Sequence, residues 1–343
     1  MAAVTEAITA SEHALELTRR STVIDALSLS FLLEDRFARR WLDAGVNASI
    51  VTIALEEDFE TVMRAIESAL RRVDDSPHMH LVLRAEDVLT AKATGRLGII
   101  LGTQGCSVAE PGKLWRIDMM ARLGVRSLGL AYTSANLLCD GCGERRDAGL
   151  TYLGREAIER INDLPMLLDL SHCGHRTRAE AAAAARAPVL THSNAYAVCA
   201  NDRNTHDDTA RVIAGKGGVL GVTALPRAVR AQDQSVEHMV DHVAHFAALS
   251  SPSSVGFGFD SVEGWAEGES KHVPHEVVRW RTFRPDIFGP LDAFGVEPFP
   301  AGLRSVRTLA NLTEALLLRQ YADADVEGML GGNWLRAMDR FWG

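Results

Sequence analysis

Two short apolar runs in this chain end in histidine. They are Leu168-Asp169-Leu170-Ser171-His172 and, twenty residues later, Val189-Leu190-Thr191-His192-Ser193. A buried parallel strand reads as a continuous apolar run, and in a barrel its C-terminal end carries the chemistry. Two histidines delivered by neighbouring strands are placed to share one metal ion. A third run, Val255-Gly256-Phe257-Gly258-Phe259-Asp260, ends in a carboxylate that suits either a metal ligand or a general base. Gln104 and Tyr132 stand at two further strand ends.

Arg203, in Cys199-Ala200-Asn201-Asp202-Arg203-Asn204, lies shortly after His192. A guanidinium above a barrel can grip a carboxylate through two parallel hydrogen bonds, although a solvated surface arginine is equally consistent with the local sequence. Asn136, in the loop after Tyr132, is the second candidate for binding substrate. His238, His242 and His245 share one helix face but lack the glutamate of an H-E-x-x-H site, so they read as packing residues. His78 and His80 flank Met79 just before a helix and read the same way. Five cysteines, an odd number, argue against a disulfide framework. Cys139 and Cys142 form a C-x-x-C, and Cys106 and Cys173 are expected to line a pocket.

These residues need a frame that brings strand ends together. Apolar runs at 46–53, 97–101, 125–130, 166–170, 188–190, 219–224 and 255–259 alternate with helical patterns at 58–72, 117–123, 154–162, 178–187, 207–216 and 236–249. Such alternation predicts a parallel sheet, and about eight repeats predict a closed (β/α)8 barrel. An open doubly wound sheet is the alternative, but no G-x-G-x-x-G follows an early strand. No linker or break in composition divides residues 1–343, which predicts a single barrel domain. Residues 263–300 read as a long irregular loop, followed by a helical segment over 313–341.

The net charge of −9 argues against a nucleic-acid surface. No apolar run approaches the roughly 18 residues that span a bilayer. Residues 1–21 carry three glutamates and no cleavable apolar core, so a cytoplasmic protein is expected.

Taken together, these segments resemble the membrane (renal-type) dipeptidases, peptidase family M19, among the amidohydrolase-like metal-dependent barrels. The resemblance runs from Gly149-Leu150-Thr151 through His172, Pro188 to Ala195, Arg203-Asn204 and Gly256 to Asp260, and ends in Gly331-Gly332-Asn333-Trp334. It implies a homodimer that hydrolyses dipeptides with two bridged zinc ions. By resemblance, His172 and His192 hold one zinc, Arg203 grips the substrate carboxylate, and Asp260 is the acid at the end of the last strand. The other positions depart from the family pattern. Its first strand ends in Asp-x-His-x-Asp, whereas this chain has Asp25-Ala26-Leu27-Ser28-Leu29. The bridging glutamate is replaced by Gln104, and a histidine that stabilises an oxyanion is replaced by Tyr132.

Leucines offer no lone pair, and a neutral amide bridges two cations poorly. The expected site is therefore one weakly held zinc on His172, His192 and Gln104, or none, and these donors speak against a two-zinc centre. Tyr132 retains a hydroxyl able to serve an oxyanion, and Asp260 and Tyr132 become the catalytic pair. Three readings follow: a divergent enzyme acting on a small amino-acid-like or dipeptide-like carboxylate, a mono-zinc dipeptidase, or a non-catalytic binding barrel.

Overall fold

The structure, a computed structural model, describes residues 8–263, 273–294 and 299–342. Its centre is a ring of parallel strands: β1 (Ile24–Leu29), β2 (Ala48–Ala54), β4 (Leu97–Thr103), β5 (Val125–Gly129), β6 (Leu167–Asp169), β7 (Pro188–Val189), β8 (Leu220–Val222) and β9 (Val255–Phe257). β3 (Met79–Leu81) pairs only with the first residues of β4, outside that ring. Continuous pairing runs from β1 to β7 and again from β8 to β9. Single bridges join the two pieces: Leu190 to Leu220, and Ser28 to Ser261. The result is the eight-membered barrel that the alternating pattern predicts.

Asp25 reinforces the second seam. Its carboxylate accepts the Phe259 N–H at 2.9 Å and the Leu27 N–H at 3.2 Å. It also accepts the Ser28 hydroxyl at 2.7 Å and the Trp41 indole N–H at 3.4 Å. The first and last strands are thereby tied through one buried side chain. Glycines permit the closest approaches near the C-terminal ends of the strands. A Cβ on Gly129 would lie 2.1 Å from the Gln104 carbonyl oxygen, and one on Gly258 would lie 2.0 Å from that of Thr191.

The helices cover the ring as expected, with additions. Helix Glu12–Arg20 starts at Ser11, whose hydroxyl accepts the Ala14 N–H, and rests on helix Ala310–Leu318 through a Thr18–Thr313 hydroxyl pair at 2.7 Å. His78 and His80 do not lead directly into a helix, because Met79–Leu81 is a strand. Part of the stretch read as an irregular loop is helical: His275–Phe283 follows Pro274, and Pro285–Phe288 starts on its own proline. Proline signals breakage in a sequence but is favoured in a helix's first turn, where its missing N–H costs nothing. Residues 264–272 and 295–298 of that stretch lie outside the described residues. Among the described residues no helix is long and apolar enough to cross a membrane.

Candidate active site

A cleft of about 890 Å³, part of it open to solvent, lies at the C-terminal end of the strands. Gln104 follows β4, Tyr132 and Thr133 follow β5, His172 follows β6 and Asp260 follows β9; all five line it. Leu29, the last residue of β1, also lines it. His192 and Arg203 are fully buried and stand behind this surface.

The two histidines are bonded to each other. Their Nε2 atoms lie 3.1 Å apart. His192 Nδ1 is 2.6 Å from the Thr191 hydroxyl, which donates to Asp169 Oδ2 at 2.6 Å. That hydroxyl has one hydrogen, already given to the carboxylate, so it accepts from His192 Nδ1–H. His192 therefore presents a lone pair at Nε2. His172 Nδ1 contacts the Thr133 hydroxyl at 2.8 Å. When that hydroxyl donates, His172 carries its proton on Nε2 and gives it to His192. The chain Thr133–His172–His192–Thr191–Asp169 then has one consistent direction. Burial, followed by the charge of Arg203, holds both imidazoles well below the usual histidine range, so both are neutral near pH 7.

Thr133 is held at φ 66°, a left-handed conformation that β-branched residues rarely adopt. Asp260 has φ 56°, and its N–H reaches back to the Leu27 carbonyl at 3.1 Å. Local strain at these two strand-end turns, after β5 and after β9, is offset by the packing around them.

Burial pushes the Asp260 carboxyl up to about 6, against the opposing charges of Arg203 and Arg281. Tyr132 sits with its ring centroid 4.3 Å from that of His172. Burial, and then the negative charge of Asp260, raises its hydroxyl above the usual phenol range, so it stays a proton donor.

Two buried arginines lie beneath the site and differ in one respect. Arg178 uses all of its nitrogens on backbone carbonyls: Nε on Leu170, Nη1 on Asn204, and Nη2 on Ser171 and Cys173. Arg203 donates Nη1 to the Ser171 carbonyl, but its Nε and Nη2 have no partner among the described residues. Leaving charged donors buried and unpaired is costly. Arg178 is a structural clamp, whereas Arg203 has donors to spare.

Asn136 stands elsewhere. Its Nδ2 donates to the Leu130 carbonyl at 2.7 Å, and its Oδ1 accepts the N–H groups of Leu138 and Cys139. Its amide organises the loop and does not line the cleft. The cysteines do not line it either, contrary to the expectation for Cys106 and Cys173. All five are free, and four are buried. Burial pushes the Cys106 thiol up to about 12 and raises that of Cys142. These are inert packing thiols.

Sequence reading missed Glu56, which looks like one more acid in Glu56-Glu57-Asp58 at a helix start. Its carboxylate accepts the Tyr132 N–H at 2.5 Å, the Asn136 amide at 3.3 Å and the Ser107 hydroxyl. Burial raises it above the ordinary range. It joins the loops after β2, β4 and β5, and so fixes the backbone that carries Tyr132. Only its contacts distinguish it from its acidic neighbours.

Two zinc ions do not fit these side chains. Leu27 is buried and Leu29 is apolar cleft wall where one ion would need donors. Among the described residues no three His, Cys, Asp or Glu side chains are grouped to hold a metal. A single ion has fewer obstacles. Tetrahedral zinc with bonds of about 2.0–2.1 Å sets two nitrogen ligands roughly 3.3 Å apart, near the observed His172–His192 separation. Gln104 is anchored by Nε2 on the Thr52 hydroxyl at 2.9 Å, and its buried Oε1 has no partner among the described residues.

This geometry has counterparts. The profile of the membrane dipeptidases, peptidase family M19, matches residues 22–273. Dipeptidase aclJ of Aspergillus oryzae is 28% identical over 250 residues, 71% of this chain and 51% of that protein. Dipeptidase 3 of Rattus norvegicus is 27% identical over 291 residues, 82% of this chain and 52% of that protein. The chain thus spans about half the length of several curated relatives it matches. Among solved structures, an amidohydrolase from Pseudomonas aeruginosa superposes with a TM-score of 0.82 at 25% identity, covering 96% of this chain and 99% of that one. A metallopeptidase from Rhodobacter sphaeroides, bound to a phosphinate mimic of L-Ala-D-Ala, gives 0.75 at 18% identity over 94% and 99% of the two chains, and shares the fold. The chain belongs to the membrane dipeptidase family, peptidase family M19.

Proposed function

We propose that this chain is a divergent enzyme of the dipeptidase family that acts on a small amino-acid-like or dipeptide-like carboxylate without a two-zinc centre. The observation that carries this reading is Arg203, whose two buried nitrogens without a partner among the described residues contrast with the saturated Arg178 beside it. A carboxylate supplies the two acceptors such a fork lacks. Asp260, ionised above about pH 6, accepts a proton from substrate or water. Tyr132, still protonated, donates to the oxygen on which negative charge develops. The charges of Arg203 and Arg281, which both act on Asp260 and Tyr132, favour that developing anion.

A second reading, a mono-zinc dipeptidase, draws on the facing Nε2 atoms and the unpartnered Gln104 Oε1. His172, His192 and Gln104 would hold the ion, which supplies Lewis-acid polarisation of a substrate carbonyl.

The test is a panel of dipeptides and N-acyl amino acids assayed on the chelator-treated and the zinc-supplemented protein. Turnover that survives chelation and disappears in Asp260→Asn supports the first reading. Turnover only with zinc, lost in His172→Ala, replaces it with the second. Absence of both turnover and carboxylate binding overturns both.

A further inference from the structure

The polarity of the cleft divides by element. Its polar groups come from the strand ends: Gln104, Tyr132, Thr133, His172 and Asp260. Its remaining wall is almost wholly apolar, and much of it comes from the segment after the last strand. Trp280, Phe288, Phe294 and Phe299 supply four aromatic rings, and Leu29, at the end of β1, and Leu55, just after β2, face the same space. Among the described residues, Arg281 is the one charged side chain that this segment adds to the lining, and its charge acts on Asp260 and Tyr132, on the polar side.

Contacts within the protein fix the positions of two of these rings. The Trp280 indole N–H is held by the Ser134 hydroxyl at 3.0 Å and by Glu276 at 3.1 Å. Its ring packs so closely on Gly143 that a Cβ there would lie 2.6 Å from the ring. Phe288 is stacked over His172, with centroids 6.5 Å apart and planes within 14°. Trp280, Ile287, Phe288 and Cys142 form a separate small apolar cluster with Leu225 against it. Leu29 also matters by its chemistry: an oxygen donor there would leave a polar gap in the wall, whereas leucine closes it.

We propose that this wall is a specificity pocket for a large apolar side chain, so that the substrate is a carboxylate bearing an aromatic or branched aliphatic group. This rests on the reading of Arg203 given above. The carboxylate points toward the strand ends, and the apolar group lies among Trp280, Phe288, Phe294, Phe299, Leu29 and Leu55. An apolar pocket gains affinity from each methylene it removes from water, and the one ring N–H in this wall, on Trp280, is already given to Ser134 and Glu276, so the rings offer little to a polar side chain.

The test is calorimetric titration of the full chain with three probes: propionate, 3-phenylpropionate and 3-phenylpropanamide. We expect 3-phenylpropionate to bind at least about tenfold more tightly than propionate, the range that added apolar groups produce in such pockets. Its binding should show a more negative heat-capacity change, the marker of apolar burial. Phe288→Ala should reduce the preference to a few-fold; Phe288→Leu, which keeps the apolar volume and guards against misfolding, should retain most of it. Equal binding of the two acids overturns the apolar pocket and leaves the carboxylate reading intact. Equal binding of 3-phenylpropionate and its amide, unchanged in Arg203→Ala, overturns the carboxylate reading and with it the substrate class. Failure of all three probes to bind at millimolar concentration overturns the proposal.

Discussion

His172 and His192 face each other through their Nε2 atoms at 3.1 Å, while each Nδ1 is engaged by a threonine hydroxyl. The pair is fixed from behind, and Asp169, at the far end, sets the tautomer of His192. Nitrogen-15 spectra of the chelator-treated protein should show His192 protonated at Nδ1 and His172 at Nε2. Thr191→Val should remove the first assignment while leaving the fold intact. An Nε2-protonated His192 in the unsubstituted protein would contradict the direction of the chain.

Donor chemistry limits zinc at the first strand. Elemental analysis after zinc loading should find no more than one equivalent per chain. The triple change Leu27→His, Leu29→Asp and Gln104→Glu should raise the stoichiometry toward two and make the melting temperature zinc-dependent. Without zinc, the same changes should destabilise the fold by a few kcal/mol, because they place polar groups in apolar surroundings. Two tightly held equivalents in the unsubstituted protein would refute the donor argument.

Asp260 sets the pH dependence of the proposed reaction. Its folded value of about 6 makes it a competent base only above that pH, so kcat/KM should rise with pH through about 6. Asp260→Asn should lower kcat by about 10²- to 10⁴-fold and abolish that limb. A pH profile that Asp260→Asn leaves unchanged would assign the limb to another group.

Asp25 should leave its mark on stability. Burial raises its folded value from 3.8 to about 6, so the folded state binds its proton more tightly than the unfolded state does. Its contribution is fully favourable below about pH 4 and is lost as pH rises through about 6, by up to about 3 kcal/mol. Asp25→Asn keeps an acceptor for the Phe259 and Leu27 N–H groups and should flatten urea stability between pH 4 and 7. Asp25→Ala, which leaves donors on both sides of the seam unpaired, should cost about 3 kcal/mol below pH 4 and less as pH rises through about 6.

Arg203 and Arg178 should separate in experiment. Arg203→Ala should weaken carboxylate binding by about 10- to 100-fold, the worth of charged hydrogen bonds, with a small effect on stability. Arg178→Ala should lower stability by several kcal/mol, because it removes a charged donor from four buried backbone carbonyls. The reverse pattern, read from urea curves and titrations of the same proteins, would exchange the two roles.

Much of the barrel was legible in the chain itself. Apolar runs ending at His172, His192 and Asp260 are local patterns, and a parallel barrel places every strand end on one face. The missing donors at Leu27, Leu29 and Gln104 were equally legible, because a side chain's lone pairs do not depend on its surroundings. Tertiary structure alone decided which polar groups spend their hydrogen bonds on the fold and which keep them. Asn136 is spent on its own loop; Arg178 is saturated and Arg203 is not; Glu56 leaves an acidic run to hold the Tyr132 N–H. Asp25 meets Phe259 across 234 residues, a contact that no local pattern encodes. The aromatic wall on Trp280 and Phe288 was hidden in a stretch whose prolines and short helices carry little periodicity. Residue types limit what each side chain can do, but burial and partner geometry exist only once the barrel has closed.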